Sequence, residues 1–191
     1  ARGPGAFTGL RIGLAAAAGL TRATGAGLFG ATTLELSARS SGSGGEVWSV
    51  LNAYRNEVYA QRLRVEADGE VVALDDPEVG SPATVFGSVG ATSARIVGDG
   101  AKVYREHLEA AAAGFGAVVD WRRVPGPVRE LTWDVVPAGL CLAADLAELV
   151  ALRIAKGATP GPVAPCYIRA SEAEVNLKAG RIVGAGAPKG V

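Results

Sequence analysis

The 191-residue sequence contains no methionine, a single histidine (His107) and only two cysteines, Cys141 and Cys166. Each shortage closes a class of function. One imidazole supports neither a Ser–His–Asp set nor a Cys–His set. His107 itself stands near Glu106 and Glu109 on a helical stretch, where a solvated surface position is expected. No C-x-x-C pair occurs, and extracellular disulfide frameworks are denser than this, so the cysteines read as two reduced core thiols. No apolar run reaches the roughly 20 residues of a membrane span, and no signal-peptide pattern opens the chain. Charge of one sign is missing too: nineteen Lys and Arg balance nineteen Asp and Glu. That balance argues against a protein that grips nucleic acid through its overall field. A soluble cytoplasmic protein is the simplest class left.

What is present points to a packed α/β chain. Hydrophobic residues make up 49% and charged residues 20%, enough for one large domain or two lobes around a core. The opening Ala1-Arg2-Gly3-Pro4-Gly5 reads as the end of a strand entering a loop. With no methionine at position 1, an N-terminal piece is expected to precede it. Thr8 is placed to cap a helix over 9–23 that stops near Gly25. Apolar or small residues cover nearly the whole circumference of that helix, so one face can cover a sheet and the other needs a second cover. Residues 27–31 read as a short buried strand. Thr32 or Thr33 then caps a second helix, with Glu35 in its first turn. The serine–glycine run 40–45 reads as a flexible boundary.

Beyond it the period changes to two. Residues 46–53, 58–66 and 70–74 form an antiparallel meander, turning at Tyr54-Arg55-Asn56 and at Ala67-Asp68-Gly69. Residues 75–93 show no clear pattern. A short strand follows at 94–98, then a helix over 101–113 and a strand at Val118-Val119. Residues 122–134 read as irregular. The last helix is expected over 137–155, and Cys166-Tyr167-Ile168-Arg169 as a further strand. Strands and helices alternate around one antiparallel stretch, which makes the class mixed α/β.

The run from Gly3 to Leu14, GPGAFTGLRIGL, resembles the signature of the TsaB (YeaZ) family almost letter for letter, with Ala6 where that family usually has serine. Weaker matches keep the family's order. Asn52-Ala53-Tyr54-Arg55-Asn56-Glu57-Val58-Tyr59 is similar to its D-A-R-x-x-E-V-Y, with Asn52 and Tyr54 in place of the usual aspartate and arginine. Gly98-Asp99-Gly100-Ala101 resembles its G-x-G-A, and Pro165-Cys166-Tyr167-Ile168-Arg169 its terminal P-x-Y-L-R. The family's opening strand–hairpin, with an Asp-Thr-Ser turn, does not occur in these residues.

The resemblance implies an actin-like (ASKHA) two-lobed fold lacking its first strands. Residues 1–44 would form the incomplete first lobe and 45–160 the second. Residues 161–191 would be a tail, part of which returns to the first lobe. It also implies a role: a non-catalytic partner of the catalytic subunit TsaD, working with the ATPase TsaE. The complex modifies tRNA with threonylcarbamoyl at the adenosine beside the anticodon. In the family the first helix packs against the catalytic partner. The alternative is an independent actin-superfamily ATPase or sugar-kinase-like enzyme.

Several residues are singled out on this basis. Leu10, Gly13, Leu14, Ala17 and Leu20 are expected at the partner interface, against a competing reading as packing within the monomer or pairing with a second copy. The glycine loop, with Gly3, Gly5 and Thr8, fits either a phosphate-proximal turn at a helix N-terminus or a tight turn where side chains would clash. It has no Walker lysine and no G-x-G-x-x-G spacing. Asp99, with Gly100, and Asp134 fit either Mg²⁺ ligands beside a nucleotide or turn aspartates. Arg122-Arg123 fits a tRNA contact or a solvated face. The catalytic sister family holds a metal with a His-x-x-x-His pair on the helix after the corresponding strand, where this chain has Thr33 and Ser37. No metal and no cofactor of the chain's own is therefore expected, with ATP reserved for the interface of the complex.

Overall fold

The computed structural model describes residues 1–42, 44–121, 131–136 and 142–169. Helix α1 (Phe7–Thr24) is followed by α2 (Thr33–Ser40), the strands β1 (Gly45–Tyr54) and β2 (Glu57–Val65), and the short strands β3 (Val71–Ala73) and β4 (Glu78–Gly80). Then come α3 (Pro82–Val89), β5 (Ala94–Val97), α4 (Asp99–Val103), α5 (Arg105–Gly114), β6 (Val118–Asp120), β7 (Thr132–Val136) and α6 (Leu142–Ala155).

The strands form one sheet in the order β3-β2-β1-β5-β7-β6, with β4 on the free half of β2. β1 and β2 are antiparallel, whereas β1, β5, β7 and β6 run parallel. Alternation along β1 sorts the core. Val50 faces Phe86, Ile96, Leu108 and Trp133 beneath α3 and α5, whereas Val47 faces Leu34 and Ala38 of α2 along with Leu63 and Val97. A third cluster of Ala31, Leu36 of α2 and Leu149 of α6 joins the two helices.

Helix α2 begins with a full capping box: Glu35 N–H donates to the Thr32 hydroxyl at 3.0 Å and Thr32 N–H to the Glu35 carboxylate at 2.6 Å. The same carboxyl group holds α6. Arg153 donates to Glu35 at 2.8 Å and to Glu70, after the β2–β3 turn, at 2.9 Å. Lys156 adds a 2.7 Å pair with Asp68. Burial pushes the Glu70 carboxyl up, but hydrogen bonds from Arg153 and the Val71 N–H, with the Lys156 charge, outweigh it and hold the group below its ordinary range.

Several expectations need correction. Helix α1 starts at Phe7 rather than Gly9, because Leu10 N–H already bonds the Ala6 carbonyl. Thr8 therefore lies inside the helix, and Ala6 is the N-cap with no side-chain bond. Residues 27–31 form no strand; the Leu28 and Ala31 carbonyls accept bonds from Gly161 and Arg2. The expected helix over 101–113 is broken at Tyr104, which leaves helical geometry (φ −108°, ψ 40°). Cys166-Tyr167-Ile168-Arg169 forms no strand; Cys166 N–H is bonded to the Arg2 carbonyl. The stretch expected to be irregular ends in strand β7, buried between β5 and β6. The expected last helix is present from Leu142; residues 137–141, with Cys141, and the Arg122-Arg123 pair lie outside the described residues. Gly25 does end α1 in the left-handed conformation (φ 72°).

Candidate functional site

Three of the four motifs singled out in the sequence converge at the tip of the β1–β2 hairpin. Arg55 and Asn56 form the two-residue loop between the paired Tyr54 and Glu57, and both have positive φ, as a turn of the primed type requires. Register slips between Asn52 and Tyr54, and Tyr54 too is left-handed, so three consecutive non-glycine residues lie at φ 58°, 55° and 60°. The conformation is held from inside. Tyr54 N–H donates to the Asn52 side-chain oxygen at 2.9 Å, and Asn52 N–H donates to the Asp99 carboxylate at 3.0 Å. The Tyr104 hydroxyl reaches the same Asn52 oxygen at 3.4 Å.

Glu57, on the far side of the turn, pairs with Arg169, whose guanidinium lies 5.7 Å over the Tyr59 ring. Two residues earlier Tyr167 meets Phe7, the first residue of α1, with ring centroids 5.3 Å apart. Arg11 lies 5.0 Å over the Phe7 ring on the next turn of the helix. Pro4, Gly5, Phe7, Tyr59, Tyr167 and Arg169 thus line a cleft of about 150 Å³. Gly3 sits beneath it at φ 96°, where a Cβ would come within 2.9 Å of Leu10 and 3.1 Å of the Cys166 carbonyl.

The fourth motif serves the same hairpin from behind. A Cβ at Gly98 (φ 116°) would run into the Val50 carbonyl, and one at Gly100 would lie 2.9 Å from the Leu51 carbonyl carbon. Both positions need glycine so that α4 can sit against β1. The expected nucleotide-proximal set is therefore divided. Asp99 and Gly100 contact residues 50–52 of β1, whereas Gly3 contacts Leu10, Thr33 and Cys166. Gly5 and Thr8 are exposed, Thr8 within α1. Asp134 is level with Arg95 on the neighbouring strand, four residues and roughly 13 Å before Asp99 at the strand rise.

The interface candidates also divide. Leu10, Leu14 and Ala17 share a half-buried side of α1 with Thr21, whereas Gly13 and Leu20 are exposed. None of the α1 residues is fully buried. Its open side carries Ile12, Ala15, Ala16, Gly19 and Ala23, one above another at helical spacing. Ile12 is 65% exposed and Leu20 66%. At the positions of the sister family's metal ligands, Thr33 is half-buried and Ser37 is buried with an unpartnered hydroxyl. Hydroxyl groups do not fit a site built for two imidazoles. Among the described residues no group of three or more His, Cys, Asp and Glu side chains is arranged to hold a metal. His107 is exposed, its ring edge-on to Tyr104 at 6.1 Å. No described helix is long and apolar enough to cross a membrane.

The family model described as "TsaD: tRNA N6-adenosine threonylcarbamoyltransferase" matches residues 1–109, which hold the glycine loop, the β1–β2 turn and the Gly98–Gly100 motif. The chain belongs to this family. Among solved structures, it is similar to an uncharacterized protein with similarity to peptidase YeaZ from Pseudomonas aeruginosa. The TM-score is 0.63 at 24% identity, over 88% of this chain and 71% of that one. YeaZ from Pseudomonas aeruginosa gives a TM-score of 0.60, also at 24% identity, over 87% and 70% of the two chains. That likeness shows the fold, the mixed α/β architecture of YeaZ-like, actin-like (ASKHA) proteins. An uncharacterized protein of Mycobacterium leprae (strain TN) is 42% identical over 84 residues, 44% of this chain and 21% of that protein. The chain thus spans about a fifth of the length of that curated relative.

The Glu57–Arg169 pair was not anticipated, although each residue had been picked out within its own motif. An acidic and a basic residue held in separate motifs of one family were the available signal.

Proposed function

We infer that this chain takes part in threonylcarbamoyladenosine modification of tRNA as a non-catalytic partner of the catalytic subunit, TsaD. The observation that carries this reading is the open side of α1. A helix with Ile12, Ala15, Ala16, Gly19 and Leu20 facing water is a surface suited to close approach by another helix. The face differs from the one first singled out, since Leu10, Leu14 and Ala17 lie on the half-buried side. The hydroxyl pair Thr33 and Ser37 supports the non-catalytic half of the reading, because the family's metal chemistry has no imidazoles there. The ATPase TsaE and tRNA would be reached through the complex, and ATP would bind at its interface rather than to this chain alone.

Light scattering after gel filtration tests this, using the complete chain alone and mixed with the catalytic sister from the same organism. A heterodimer peak that disappears with Ile12→Arg is the expected result. The same variant should leave the thermal midpoint unchanged, because Ile12 packs against little. No association at micromolar concentrations would overturn the reading and favour an independent ATPase, to be assayed as nucleotide hydrolysis by the chain alone.

A further inference from the structure

Tyr54 is the most exposed large hydrophobic or aromatic side chain among the described residues, at 72%. It is also held more firmly than exposure alone would suggest. Left-handed backbone is unfavourable for a non-glycine residue, and here three such residues follow one another. The turn keeps this shape because Asn52 holds the Tyr54 amide, Asp99 holds the Asn52 amide, and Arg169 holds Glu57. The backbone that carries the ring is therefore fixed by contacts from within the fold, and the ring itself is presented to solvent. Such aromatics are the usual anchors of protein interfaces.

We propose that Tyr54 is an anchor for the same protein partner that docks on α1, the catalytic sister, and that the interface runs from α1 onto the β1–β2 turn. The inference rests on the partner reading above. Continuity of the surface supports it. Phe7 at the foot of α1 touches Tyr167, and Arg169, two residues on, joins Tyr59 and Glu57 at the turn. Charge favours a protein over an RNA backbone as the occupant. Glu57 and Arg169 neutralise each other, and Asp99 stands behind the turn. That leaves Arg55 as the turn's single basic group, where phosphate recognition needs several cations. Tyr54 also stands where the family usually has arginine, so the contact would be particular to this chain and its own partner.

The test is calorimetric titration of the complete chain with the catalytic sister from the same organism, for wild type, Tyr54→Ala, Tyr54→Phe and Tyr54→Arg. Tyr54→Ala is expected to raise Kd at least tenfold, Tyr54→Phe less than threefold, and Tyr54→Arg at least fivefold, all with thermal midpoints near that of wild type. Tyr54→Arg keeps a bulky residue in the turn, so its loss of binding cannot be ascribed to a loosened backbone. Tight wild-type binding with Tyr54→Ala and Tyr54→Arg within twofold of it would overturn the anchor and leave the partner reading intact. Absence of wild-type binding would overturn both.

Discussion

Replacing Arg153 by methionine should cost the fold about 2 kcal/mol at neutral pH, and less of it in acid. Arg153 lies between two carboxylates from separate elements, at 2.8 Å from Glu35 and 2.9 Å from Glu70. Both acidic side chains are only 17% exposed. Methionine keeps most of the aliphatic stem that leaves α6 at this position but removes the fork of donors. The two carboxylates then face each other partly out of water with no shared cation. Leaving one such group unsatisfied costs about 1–3 kcal/mol, and Lys156, 3.7 Å from Glu70, recovers part of it. About 2 kcal/mol corresponds to a fall in thermal midpoint of roughly 4–8 °C for a chain of this length. The sign of the pH dependence follows from Glu70. Its carboxyl is held below its ordinary value in the folded state, so its contribution is present above about pH 4.3 and is lost as pH falls through the lowered value. Thermal melts of both proteins at pH 7 and pH 3.5 in low salt check this. A gap of equal size at both pH values would show that Arg153 acts through packing and not charge. No gap at pH 7 would refute the reasoning altogether.

Gly98→Ala should cost about 3 kcal/mol or more, because the added methyl meets the Val50 carbonyl in a backbone conformation that disfavours any side chain; soluble yield and melting midpoint report it. Thr32→Ala removes one half of the α2 capping box and should cost about 1 kcal/mol, measured by urea unfolding with an unchanged m value. Asn56→Gly relieves a left-handed residue at φ 60° and should stabilise by about 0.5 kcal/mol, read as a small rise in the same urea midpoint.

Patterns that repeat within one element were legible in the sequence. The apolar Val47, Trp48, Val50 and Leu51 of β1, with the period-two pairs Val58/Ala60 and Leu63/Val65 of β2, located the β1–β2 hairpin, and Thr32 with Glu35 located the start of α2. What escaped depends on partners distant in the chain. Strand β7 holds Asp134 between Trp133 and Val135, which breaks an apolar run, and its burial comes from lying between β5 and β6. Thr8 looked like a cap because its type suits one, but the first helical bond forms two residues earlier at Ala6. The break at Tyr104 has no helix-breaking residue to announce it; Tyr104 instead turns its hydroxyl toward Asn52. At the candidate site each motif was legible alone, and the family resemblance ordered them. Their meeting at Glu57, Arg169, Phe7 and Tyr167 is a fact of tertiary structure that spacing along the chain does not carry. Likewise the apolar girth of α1 was evident, but which side faces its own chain was not.

The loose attachment of α1 has a kinetic consequence. Gly9, Gly13 and Gly19 lie inside the helix, each worth roughly 1 kcal/mol against helicity relative to alanine. No side chain caps the start of the helix and none of its residues is fully buried, so 18 residues stand near the length at which an isolated helix is marginal in water. Its amides should therefore exchange with solvent through local fraying, orders of magnitude faster than those of β1, which open only with the whole sheet. A partner seated along α1 would quench that fraying, and slowed exchange confined to residues 7–24 would be its fingerprint.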